Sequence, residues 1–78
     1  MAKLVLFAQA REMAGTSQID ADISTVSELE AWCAQRFGAS FLDVWAISSV
    51  WVNGEPVSAG QALHADDEVA ILPPVSGG

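Results

Sequence analysis

Side chains able to do chemistry are sparse in this 78-residue chain, and their spacing brings few of them together. Cys33 and His64 are the one cysteine and the one histidine, far apart in sequence, and they do not make a zinc-ligand pattern. Cys33 falls within an apolar stripe and reads as a small buried hydrophobe rather than a nucleophile. His64, close to Asp66 and Asp67, reads as an exposed loop residue rather than a catalytic base. The run Asp66-Asp67-Glu68 lacks the alternation of ligands and glycine found in a calcium loop, so it reads as a solvated turn. The six glycines are scattered or terminal and form no phosphate-cradling loop. No metal site and no bound cofactor are expected.

There remains the end of the chain, "ILPPVSGG". Glycine carries no side chain, so Gly77-Gly78 is as slender as a peptide can be and fits a channel that any Cβ would block. Pro73 and Pro74 fix φ, end a strand and aim the last residues outward. A stiff base with a slender tip suits presentation of a terminal carboxylate to other enzymes. Such a carboxylate is a poor electrophile until activated, for example as an acyl-adenylate.

A domain must hold this tip, and the sequence supplies its parts. "AKLVLFAQ" reads as a strand with Leu4 and Leu6 on one face and Val5 and Phe7 on the other. Gly15, Thr16 and Ser17 then mark a turn, and "QIDADI" alternates as a half-exposed edge strand in a hairpin with the first. "STVSELEAWCAQRFG" is the main helix. Thr25 and Glu28 have capping-box spacing, Val26, Leu29, Cys33 and Phe37 share a stripe with Trp32 beside it, and Gly38 suits a left-handed stop. Residues 39–48 fit either a short helix or a loop. Asn53-Gly54 between apolar runs predicts a type I′ hairpin. "AGQALHADD" is a connection with room for one helical turn, and "DEVAIL" is the last strand. The order predicts an α+β fold of the β-grasp (ubiquitin-like) type: a mixed sheet of about five strands covered by one main helix. The domain is expected over 1–72, with 73–78 as an extended tail.

Half the residues are hydrophobic and about a sixth are charged, enough for one modest core. Lys3, Arg11 and Arg36 face ten acidic residues, for a net charge of −7. That balance disfavours nucleic acid and anionic membranes and favours docking on a basic protein surface. No apolar stretch is long enough to span a bilayer, no signal peptide is evident, and a lone cysteine suits the cytoplasm. Trp32 reads as core, whereas Trp51 and Phe7 have an interface role as an alternative to packing. Arg11 reads as a surface contact or as a guanidinium available to a partner's carboxylate.

The segments "VLFAQAREMAGT", "TVSELEAW", "VWVNGEPV" and "DDEVAILPPVSGG" run nearly the length of the chain in one order. Through them the sequence resembles the small, sulfur-carrying subunits of molybdopterin synthase. The resemblance implies that Gly78 is adenylated by a ubiquitin-activating-like adenylyltransferase that consumes ATP. Gly78 then becomes a thiocarboxylate, with a sulfurtransferase or cysteine desulfurase as sulfur source. It further implies that the tail Pro73, Pro74, Val75, Ser76, Gly77 and Gly78 enters the large catalytic subunit of the synthase. There it donates sulfur to cyclic pyranopterin monophosphate, forming the dithiolene of molybdopterin within a heterotetramer. Phe7, Arg11 and Leu72 map onto partner contacts. Leu72 stands where an aromatic is common, and Ser76 where a threonine is frequent. On this view the chain is not catalytic alone. Two alternatives stay open: a sulfur carrier for thiamine, cysteine or another thio-metabolite or a conjugation tag, and a non-catalytic β-grasp interaction module.

Overall fold

The computed structural model describes residues 1–74. Five strands form one mixed sheet: β1 (Ala2–Leu6), β2 (Gln18–Ala21), β3 (Ser49–Val52), β4 (Glu55–Pro56) and β5 (Glu68–Leu72). Their order across the sheet is β2-β1-β5-β3-β4. The central pair, β1 and β5, is parallel, and the other three pairings are antiparallel. Two antiparallel hairpins joined through a parallel centre, with a helix crossing between them, make this the β-grasp arrangement that the element order predicts.

Register decides what each face of the sheet buries, because side chains alternate with a period of two. Leu4 pairs with Val69 and Leu6 with Ile71 across the parallel centre. Val50 and Val52 pair with Ile71 and Val69 from the other side, and Ala2 pairs with Ala21. These residues form one core with Val26, Leu29 and Cys33 of the crossing helix and with Phe41 and Val44. Phe41 is the largest fully buried side chain.

The crossing segment begins as a 3₁₀ turn, Val26–Glu28, and continues as α2 (Leu29–Phe37). Its start is fixed by the expected capping box. One oxygen of Glu28, Oε2, accepts from the backbone N–H of Ser24 and of Thr25, both at 2.8 Å, and from the Thr25 hydroxyl at 3.1 Å. These donors hold the Glu28 carboxyl below its ordinary pKa, the backbone N–H of Ser24 contributing most. Trp32 is only half-buried: it packs edge-on to Phe37 at 5.9 Å, with the Arg36 guanidinium 5.6 Å from its ring centre.

The structure departs from the sequence reading at three places and settles the open stretch at 39–48. Ala8 and Gln9, read as the end of the first strand, instead open a helix, α1 (Ala8–Ala14), that runs up to the turn at Gly15. Ala10 is its one fully buried residue, so the apolar signal is too short for periodicity to register. The left-handed cap lies at the end of this helix, on Gly15 (φ 75°, ψ 12°), whose N–H donates to the Arg11 carbonyl. Gly38 keeps a positive φ of 99° with ψ at 159°, so the chain leaves α2 extended rather than by a left-handed turn. The ambiguous stretch contains a helix, α3 (Phe41–Ala46), anchored by Phe41 and Val44. The connection before β5 has no helical turn and is tied to the start of the crossing helix by Val26 N–H to Gln61 O and Leu63 N–H to Ser24 O.

Candidate functional site: the uncovered sheet face and the end of β5

The second hairpin is a type I′ turn, with Asn53 at φ 51° and Gly54 at φ 85°. Asn53 also ties this turn to the segment entering β5. Its side-chain amide donates to Asp67 at 3.0 Å, and its side-chain carbonyl accepts from the Glu68 N–H at 2.9 Å. Asp67 in turn accepts from the His64 N–H at 2.8 Å, with the imidazole 3.5 Å away. The backbone N–H of His64, then the Asn53 amide, holds the Asp67 carboxyl below its ordinary pKa. Asp67 therefore closes a polar clamp at one end of β5, joined to Asn53 and to the backbone and imidazole of His64.

The other end of β5 is where the tail leaves. Leu72 pairs with Ser49 of β3, and the Phe7 N–H reaches the Ile71 carbonyl at 3.4 Å. Pro73 is buried and Pro74 exposed. Val75, Ser76, Gly77 and Gly78 lie outside the described residues.

Between these ends runs the sheet face opposite the core, which no helix of the described residues covers. One row crosses all five strands: Gln18, Val5, Ala70, Trp51 and Pro56 are consecutive register partners. Towards the clamp lies a charged row, with Lys3 the partner of both Asp20 and Glu68. Towards the tail lie Phe7, 44% exposed, and half-buried Leu72. The face is thus charged at the clamp end and apolar at the tail end. Of the residues mapped from the family, Phe7 and Leu72 both lie at this end of the sheet. Arg11 sits exposed on α1, four residues past Phe7, and its backbone N–H returns to the Phe7 carbonyl at 3.3 Å. Val5 and Trp51 extend the strip, as their alternation suggests. Ala70 was missed, because a small residue in a strand carries no signal of its own until its neighbours across the sheet are known.

Ala8, at φ 50°, makes the bend that brings α1 back beside β1. Cys33 is fully buried in the core, and burial pushes its thiol up to about 12. A cavity of about 550 Å³ opens on the helix side between Val26, Glu30, Trp45 and Val57. Its serines and its one carboxylate do not converge on a reacting position. Among the described residues no cluster of His, Cys, Asp or Glu is placed to hold a metal ion, and no helix is long and apolar enough to cross a membrane.

The ThiS family model matches residues 4–78, nearly the whole chain. The chain belongs to the ThiS family. Its ubiquitin-like β-grasp is shared with solved members and near relatives. The molybdopterin synthase sulfur carrier subunit of Escherichia coli (strain K12) is 37% identical over 86 residues, covering all of both chains. The small archaeal modifier protein 1 of Haloferax volcanii superposes with a TM-score of 0.85 at 31% identity, covering 99% of this chain and 98% of that one. A protein from Pyrococcus furiosus described as a molybdopterin converting factor subunit 1 gives 0.82 at 27%, covering 95% and 97%. The family likeness extends through residue 78, beyond the described residues, which end at Pro74.

Proposed function

We propose that this ThiS-family chain is the sulfur carrier subunit of a molybdopterin synthase. The observation that carries the proposal is the geometry at the end of β5: a central strand delivers its chain past Pro73-Pro74 at the rim of an apolar, uncovered sheet face. That arrangement lets one partner cover the face and receive the terminus in the same encounter. The full-length likeness to the Escherichia coli carrier subunit supports this choice of pathway.

In the proposed cycle the Gly78 carboxylate attacks the α-phosphate of ATP on an adenylyltransferase and pyrophosphate leaves. A persulfide sulfur from a sulfurtransferase or cysteine desulfurase then displaces AMP to give an acyl disulfide. A thiol attacks the sulfur of the sulfurtransferase, releasing the thiocarboxylate and forming a new disulfide between that thiol and the sulfurtransferase. The large synthase subunit covers the strip of Phe7, Val5, Trp51, Ala70 and Leu72 and takes the tail 73–78 towards a cyclic pyranopterin. The thiocarboxylate sulfur bonds to the pterin, and water then attacks the Gly78 acyl carbon, breaking the carbon–sulfur bond so that sulfur stays on the pterin and Gly78 returns to a carboxylate. This chain contributes the docking face, the exit geometry and the terminal carbon. The acid–base groups and the basic side chains for the anionic pterin belong to the large subunit, which an acidic carrier complements. ATP is consumed by the activating enzyme, and the carrier itself holds no cofactor. The cytoplasm, where ATP and reduced sulfur carriers are available, is the proposed location.

The test is reconstitution with a large synthase subunit, pyranopterin and the carrier bearing a Gly78 thiocarboxylate. Formation of molybdopterin supports the proposal; a thiocarboxylated carrier that neither binds the large subunit nor sulfurates the pterin contradicts it. The likeness to a small archaeal modifier protein favours one second reading, attachment of Gly78 to lysines of other proteins. That reading predicts isopeptide-linked adducts after activation in extract, in place of pterin sulfuration.

A further inference from the structure

Among the described residues the large apolar side chains left exposed are Met1, Phe7, Met13 and Ile47. Single exposed apolar residues are common on folded proteins and need no explanation by themselves. Two of these, however, flank the strand end from which the tail departs. Phe7 follows β1 directly, and its N–H reaches the Ile71 carbonyl at 3.4 Å. Ile47 lies on the other side of β5, where α3 gives way to β3. It stands two residues before Ser49, the register partner of Leu72. Two residues span at most about 7 Å, so Ile47 is held close to the base of the tail. Its backbone is fixed there. The Ile47 N–H donates to the Val44 carbonyl at 3.2 Å, the Ser48 N–H to the Trp45 carbonyl at 3.1 Å, and the Ser48 hydroxyl to the Val44 carbonyl at 2.6 Å. Ile47 is 54% exposed, more than Phe7, and takes no part in the core.

We propose that Ile47 is a docking residue which, with Phe7, makes an apolar collar at the base of the tail and seats the mouth of the large subunit's tail channel. The inference rests on the reading that the large subunit takes in residues 73–78. The length of the tail carries it. Pro73 is buried against the domain, so only the residues past it are free to enter a partner. The four residues beyond Pro74 span at most about 14 Å. A centre that keeps water from a reactive acyl group lies below the surface of the protein that holds it. For Gly78 to reach that depth, the channel mouth has to come down to Pro74 and close around both sides of the exit. On the β1 side it meets Phe7, and on the β3 side it meets Ile47. An apolar rim suits both, because each then removes a large hydrocarbon side chain from water. Contacts on both sides also stop the carrier from pivoting about the strip of Val5, Ala70 and Trp51, which holds it by one face alone.

The experiment uses the full carrier bearing a Gly78 thiocarboxylate, a large synthase subunit and pyranopterin, with thermal unfolding of each variant alongside. Ile47→Glu is expected to raise the carrier concentration needed for half-maximal rate by about tenfold or more. The saturating rate is expected to hold, because Ile47 seats the partner and touches no reacting atom. Ile47→Leu keeps the apolar contact and is expected to stay within about twofold of wild type. Gln35→Glu adds the same charge at an exposed position of α2 and is also expected to stay within about twofold. All three variants are expected to melt close to wild type, since neither position belongs to the core. An unchanged half-saturation for Ile47→Glu, an equal rise for Gln35→Glu, or a loss confined to the saturating rate would each overturn the proposal. A wild-type carrier that forms no molybdopterin would instead remove the reading beneath it, and the proposal with it.

Discussion

Trp51 lies directly opposite Ala70 across the β3–β5 ladder, on the sheet face that carries no helix. With Val5 on the far side of Ala70, the three give an apolar row across the middle of the sheet, next to the strand end from which the tail departs. Ala70→Glu places a carboxylate at the centre of that row without entering the core. Folding is expected to survive with a small change in melting temperature. Binding to a large synthase subunit is expected to weaken by a factor of ten or more, since a buried unpaired charge costs several kcal/mol. Titration calorimetry alongside thermal unfolding separates the two effects.

The polar clamp at the opposite end of β5 is a stability feature. Asn53→Ala loses both side-chain hydrogen bonds and puts a side chain that disfavours positive φ into a type I′ turn. The expected cost is roughly 2–3 kcal/mol in chemical denaturation. Asn53→Gly keeps the backbone conformation and loses only the clamp, so its cost is expected to be about half as large.

Acid should loosen both ends of this scaffold. Glu28 and Asp67 ionise more readily in the folded chain than at their ordinary values of 4.5 and 3.8. At low pH the unfolded state therefore binds more protons than the folded one. Their contribution is complete above those ordinary values and disappears as pH falls below them, through the lowered folded values. Denaturation midpoints should hold steady above about pH 5 and drop towards pH 3. Glu28→Gln should be less stable at neutral pH and should show a shallower acid decline.

Much of this scaffold is legible in the residues themselves. Asn53-Gly54 announces its turn because both positions need positive φ, and Thr25 with Glu28 announces the helix start because the capping box is a local device. Phe7 and Val5 are placed opposite Leu4 and Leu6 by alternation alone. What the sequence hides depends on partners distant along the chain. The helix Ala8–Ala14 exists because Ala10 packs into the core and Ala8 accepts a positive φ, and neither fact has a local signature. Ala70 joins the apolar row only through parallel pairing with Val5. Asp67 looks like one carboxylate in a solvated run until Asn53, folded back from the previous hairpin, is placed beside it.

The buried thiol gives a check on the core. Native Cys33 should resist a thiol reagent such as dithionitrobenzoate and react only as the domain unfolds, so that reactivity tracks the unfolded fraction. Leu4→Ala, which opens a cavity beneath the central strands, is expected to cost about 2–5 kcal/mol and to speed that labelling accordingly.

The most direct measurement of the central claim is an intact mass. The carrier is incubated with a ubiquitin-activating-like adenylyltransferase, ATP and a persulfide-bearing sulfurtransferase, and the product is compared with a chain lacking Gly78. The account predicts a mass gain equal to one sulfur replacing one oxygen, mapped to Gly78 and absent from the truncated chain, while both chains unfold alike. An unchanged mass for the full chain, with the same activating system proven on another carrier, would contradict it.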